Sequence, residues 1–217
     1  AENQTSDRTE PRGSVFRWMG LFSLGQVSEK IFMLGKLLLV AYLFGASRER
    51  DVYLLAMMIP AVFFNLVGDA MYIYSLSVFT RHKQNLERAW GITNILLTLA
   101  LLLTGAFIGI YVLAAPTLFR HLAGGRLAPD MLHLAVRLAL VLSPLFFFYM
   151  FHAMLKGFSE AFRMFGISSF VFSISNGTAL LSLWLLREHG IMGLAYATLI
   201  SEALTMAVYI PQLAGKG

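Results

Sequence analysis

Apolar stretches long enough to cross a bilayer fill almost this whole chain, and several carry ionisable residues inside them. A hydrocarbon core needs about 20 consecutive, mostly apolar residues per helix. We read six such stretches, at roughly 17–45, 53–79, 90–115, 132–156, 166–186 and 191–212. A charge at the middle of one costs roughly 2.5–3.5 kcal/mol unless it meets a partner, water or a polar ligand. Glu29, Lys30, Lys36, Asn65, Asp69 and Glu202 therefore cannot simply face acyl chains.

The composition agrees: 58% of the 217 residues are hydrophobic and only 13% are charged, against about 25% charged in a soluble domain. The expectation is an all-α, polytopic membrane protein with six transmembrane helices. A polar tail over 1–14 and a short end over 214–217 flank a helical lobe over 15–213. With no cysteine, disulfides and thiolate-ligated metal sites are excluded. The histidines are scattered and no metal-spaced cluster, phosphate loop or nucleophile elbow appears, so neither a cofactor, a metal nor an enzyme is expected. No basic stripe points to nucleic acid. With the N-terminus inside, the inner side collects nine Lys/Arg (residues 8, 12, 17, 81, 83, 88, 156, 163 and 216) and the outer five (48, 50, 120, 126 and 187). That bias predicts both termini cytoplasmic.

Local signals modulate the helices. Gly20, Gly25 and Gly35, with the polar run Gln26–Lys30, predict a break in the first. Pro60 predicts a kink in the second, and Pro144 interrupts the fourth. Asn65 and Asp69 are four apart and Tyr72 comes three later, which places them on one helical face. Lys36 lies about 9 Å deeper than Lys30 at 1.5 Å per residue, a depth suited to a cavity, whereas Lys30 can also snorkel to the surface. Asn65 and Asn176 suit either interhelical hydrogen bonding or ligand contact. Asp51 at a helix start is a plausible N-cap. The fifth stretch offers Ser169, Ser173, Asn176 and Ser182, and the sixth Ser201, Glu202 and Thr205; Glu202 suits a lysine across the bundle or a partner subunit.

The run Leu43–Phe79 resembles the start of the MurJ/MviN lipid II flippases of the MOP exporter superfamily. Its marks are the Phe44–Ser47 FGAS turn, Asp51, the Ile59-Pro60 step and Gly68-Asp69. The likeness continues through Pro144, Leu155–Phe170, Asn176 and Ala195–Leu213. It implies a six-helix MOP-type lobe in the bacterial cytoplasmic (inner) membrane, handling an undecaprenyl-linked precursor among membrane lipids. Lys30 and Lys36 stand where that family places cavity arginines in its first helix, and Asp51 and Asp69 at its acidic positions. Phe64 and Asn65 replace the family's paired arginines in the second helix, and lysine cannot grip phosphate bidentately as arginine does. Two such lobes enclose the family's cavity, so the resemblance implies a half-size unit needing a second lobe or a homodimer partner. The alternative is a non-transporting structural or assembly subunit of a larger membrane complex.

Overall fold

The computed structural model describes the backbone of residues 12–82, 85–122, 127–162 and 165–214. Of the predicted tail and end, residues 1–11 and 215–217 lie outside these; Arg12–Ser14, expected in the tail, already belong to the first helix. Side chains of 12–19, 21, 22, 86, 163–169 and 210–214 also lie outside the description, Ser169 among them.

Within the described residues everything regular is helical. Helix α1 (Arg12–Phe44) is followed by α2 (Arg48–Phe63), a π turn (Phe64–Gly68) and α3 (Asp69–Arg81) in one rod. Then come α4 (Leu86–Leu122), the α5–α6 rod (Pro129–Leu142 and Leu145–Ala161), α7 (Phe165–Leu185) and α8 (Gly190–Ala214), the last entered through a 3₁₀ turn at Arg187–His189. Four helical spans are long and apolar enough to cross a membrane: Arg48–Arg81, Glu87–Leu122, Pro129–Ala161 and Arg187–Tyr209. A shorter apolar stretch covers Phe170–Leu185. α1 is long too, but Glu29, Lys30 and Lys36 fall together in its apolar part, whereas each of those four contains an 18-residue apolar stretch with no more than two charges.

The FGAS turn has a plain physical basis. Gly45 adopts φ +53°, the left-handed conformation that closes a helix, and its N–H donates to the Ala41 carbonyl at 2.9 Å. Two residues on, the Ser47 hydroxyl accepts from the Arg50 N–H at 3.3 Å and caps α2. Asp51, expected as the cap, instead sits within the first turn, where its carboxylate favours the positive end of the helix dipole.

The predicted break in α1 does not occur. α7 packs along α1, and Ser28 and Ser173 both donate to the Gly25 carbonyl, at 2.9 and 3.0 Å. Of the glycines that suggested a break, Gly35 lets α7 approach, with the Leu180 side chain standing over it, and on the facing helix the Phe32 ring stands over Gly177.

Pro60 and Pro144 each leave a carbonyl without its helical donor, and at these two positions a hydroxyl takes the donor's place, as a membrane interior demands. Pro60 frees the Ala56 carbonyl, to which Tyr111 of α4 donates at 3.5 Å. Pro144 frees the Leu140 carbonyl, and the Ser143 hydroxyl donates to it at 2.8 Å. The second rod then re-registers through the π turn.

α6 is the axis of the lobe and packs against α3, α8, α7, α4 and the π turn. Its small residues Ala153, Gly157 and Ala161 are spaced four apart and buried. At Gly157 the backbone of α3 comes so close that an added Cβ would lie 2.6 Å from the Tyr72 carbonyl oxygen. Ser75 uses that proximity to donate to the Met154 carbonyl at 2.8 Å. Aromatic side chains fill the lobe at both levels: Phe63, Phe107 and Phe146 meet at centroid distances of 4.9–5.3 Å. Further along, Phe79 stands edge-on to Trp90 and Phe158.

Candidate substrate cavity

A cavity of about 250 Å³ lies between the second rod, α6, α7 and α8. Ala61, Phe64 and Asn65 line it from the first, Tyr149 and His152 from α6, Phe172 from α7 and Glu202 from α8. Three aromatic rings and three polar groups give it apolar walls with a few fixed hydrogen-bonding points, the usual constitution of a ligand site.

Beside it stands Lys36. α1 delivers the half-buried ammonium to α7, where it donates to the Asn176 Oδ1 at 2.7 Å. The Asn176 amide is itself oriented by donating to the Phe172 carbonyl at 3.1 Å. An ammonium has three donors, so this anchoring leaves Lys36 able to hold a further acceptor. Glu202 lies within electrostatic reach of Lys36 and accepts a long 3.4 Å bond from Ser175. Among the described residues the only ion pair within 4 Å is Lys30–Glu29, at 3.1 Å, with the Lys30 side chain 62% exposed. Lys36, Asn176, Glu202 and Asn65 thus gather around one region, while Lys30 stands outward on α1.

The other candidates stand apart. Asp69, the first residue of α3, is exposed and does not line the cavity. Asp51 borders a separate hollow with Arg48 and Met131. The face expected to join Asn65 with Tyr72 is divided, while Asp69 and Tyr72 remain three apart within α3. The π turn adds one residue to the helical repeat, which rotates the remainder of the rod by about 100°. Tyr72 consequently turns to α6 and donates to the Glu160 carboxylate at 2.5 Å.

Sequence reasoning missed the polar stripe on α6. Tyr149, His152, Lys156 and Glu160 recur at helical spacing on one face. Lys156 places its ammonium 5.1 Å from the Tyr72 ring centroid and 5.4 Å from that of Phe172. His152 is 3% exposed, stacks against Phe172, and neither ring nitrogen has a hydrogen-bond partner among the described residues. Spacing within an apolar run was the available signal. No group of metal-ligating side chains appears among the described residues.

Residues 40–217 match the family Lipid II flippase MurJ. The chain belongs to that family. Its helical bundle also superposes on solved structures. A lipid II flippase MurJ in an inward closed conformation has TM-score 0.73 and 24% identity, over 88% of this chain and 41% of that one. A MATE protein in complex with MaD3S gives TM-score 0.76 and 18% identity, over 97% and 48%. A MOP superfamily transporter from Pyrococcus furiosus gives 0.74 and 18%, again over 97% and 48%. No curated protein matches by sequence. The chain spans less than half the length of these structures. It is a multi-pass membrane protein of MOP-type fold, helical throughout its described regular structure, in a family of flippases.

Proposed function

We propose that the chain is one lobe of a flippase for a lipid-linked oligosaccharide of the lipid II type, in the bacterial cytoplasmic membrane with both termini cytoplasmic. The observation that carries this is Lys36, an ammonium held within a membrane-spanning lobe by Asn176, next to Glu202 and an aromatic-walled cavity. A pyrophosphate linked to sugar and polyprenol matches that chemistry. The anion takes the free donors of Lys36, the sugar meets Asn65 and the aromatic rings, and Glu202 limits the net positive charge when the site is empty. Lys30 is exposed and loosely paired with Glu29, and such a pair is worth little in itself. It is available to the same anion from outside.

Asp69 supports the need for a second lobe. Its carboxylate is exposed on a membrane-spanning rod, about 18 Å from the end at Arg81. Lipid is a poor neighbour for it, whereas a water-filled cavity closed by a second lobe or a second copy is a good one. A second reading, a non-transporting subunit of a larger membrane complex, draws on Phe64. That side chain packs on the Tyr149 ring at 4.9 Å and brings no charge to the wall.

The two part in proteoliposomes carrying a fluorescent undecaprenyl-pyrophosphoryl saccharide. Flipping by a homodimer or by the chain paired with a second lobe, abolished in Lys36→Gln, supports the flippase lobe. Stable residence in a larger complex, with no binding of that lipid in any assembly, refutes it in favour of the subunit.

A further inference from the structure

A second hollow has no part in the site above. It measures about 780 Å³ and lies between the end of α4 and α5. Its walls are mostly apolar, with Pro116, Leu132, Val136 and Leu140 among them, yet Arg120, His133 and Arg137 all border it. His133 and Arg137 are four apart on α5 and share one face. All three polar side chains are exposed, and neither arginine meets a carboxylate within 4 Å among the described residues.

Arg137 makes this arrangement informative. It sits about 12 Å into the span that begins at Pro129. A guanidinium at that depth, exposed on the outside of the bundle, needs an anionic or strongly accepting partner, and none of the described residues brings a carboxylate within 4 Å of it. Arg120, in the last turn of α4, borders the same hollow from its outer end. Two cations bordering an apolar trough, one at its surface end and one about 12 Å deep, suit an amphiphile with an anionic head and a chain that lies along the apolar wall.

We infer that the α4–α5 hollow is a binding site for an anionic glycerophospholipid of the surrounding bilayer. The phosphate bridges Arg120 and Arg137 by charge-assisted hydrogen bonds, with His133 beside it, and an acyl chain lies along Leu132, Val136 and Leu140. Charge complementarity selects this occupant over a zwitterionic lipid. The apolar wall selects a lipid over free phosphate, and two like-charged arginines disfavour the same face of a second copy.

Native mass spectrometry of protein released from nanodiscs of equal phosphatidylglycerol and phosphatidylcholine tests the assignment. Wild type should retain phosphatidylglycerol over phosphatidylcholine by about tenfold or more. The Arg120→Gln/Arg137→Gln pair should abolish the preference, and Arg137→Lys should keep part of it. Arg187→Gln serves as a control, because Arg187 is exposed but rests on the Trp184 ring at 4.4 Å, away from the hollow. It should behave as wild type. Three results overturn the proposal: no lipid preference in wild type, equal loss in the control, or displacement of the bound lipid by inorganic phosphate. A dimer that forms through this face and excludes lipid also overturns it. Each readout is independent of flipping, so failure here leaves the substrate cavity untouched.

Discussion

Substituting Gly157 by alanine tests how tightly this lobe is built around α6. The new methyl would sit 2.6 Å from the Tyr72 carbonyl oxygen, 3.0 Å from the Leu76 nitrogen and 3.0 Å from the Ser75 Cβ. Two of those atoms are backbone, so relief requires α3 and α6 to move apart rather than a side chain to rotate. Overpacking of this kind costs about 1–3 kcal/mol. Separation also stretches the Ser75–Met154 bond, worth about 0.6–2 kcal/mol in a membrane interior. Against this, alanine regains up to about 1 kcal/mol of helix propensity. The net expectation is a loss of about 1–3 kcal/mol, read as a lower unfolding midpoint in mild detergent. Gly105→Ala and Gly109→Ala are internal controls, since a Cβ at either meets nothing within 4 Å. They should leave stability unchanged or slightly raised. A Gly157→Ala protein as stable as either control would refute the close crossing.

Three further outcomes rest on single contacts. Ser143→Ala removes the hydroxyl that serves the Leu140 carbonyl freed by Pro144 and leaves it only the long 3.4 Å bond from the Ser143 N–H, so it should destabilise by about 0.5–1.5 kcal/mol in the same assay; no change would mean that the backbone bond suffices. Ser47→Ala should cost about 1 kcal/mol through loss of the α2 cap, whereas Asp51→Asn should cost only a few tenths through the helix dipole. His152→Phe keeps the ring packed against Phe172 while deleting two buried nitrogens without partners, so stability should hold or rise by about 1 kcal/mol; a loss larger than that would show the nitrogens are satisfied.

Much of the fold was legible because a bilayer allows few solutions. Apolar length marked the long helical rods, and the FGAS turn and Pro144 marked real punctuation. What misled were residues whose local meaning depends on a neighbour. Gly25 and Gln26–Lys30 look like a helix break, yet α1 runs on unbroken there with Ser173 of a distant helix donating to the Gly25 carbonyl. Asp51 has the chemistry of a cap, but Ser47 was one turn earlier and took that place. The face shared by Asn65, Asp69 and Tyr72 assumed an unbroken 3.6-residue period, which the π turn removes. Arg137 and the α6 stripe went unmarked although an ionisable residue inside an apolar run is the same signal that singled out Lys36. The meeting of Lys36 with Asn176 spans most of the chain and leaves no trace in local pattern.

The absence of cysteine gives a clean background for measuring where Lys36 faces. Single Lys36→Cys and Asn65→Cys variants in liposomes can be reacted with a charged, membrane-impermeant thiosulfonate, beside Leu38→Cys and Leu113→Cys, whose native side chains are 62% and 84% exposed on the lobe exterior. Rapid labelling at 36 and 65, slowed by an undecaprenyl-pyrophosphoryl lipid, with no labelling at 38 and 113, is the predicted result. Lys36→Cys as inert as Leu113→Cys, or labelled at a rate the lipid does not change, would contradict a polar site within this lobe.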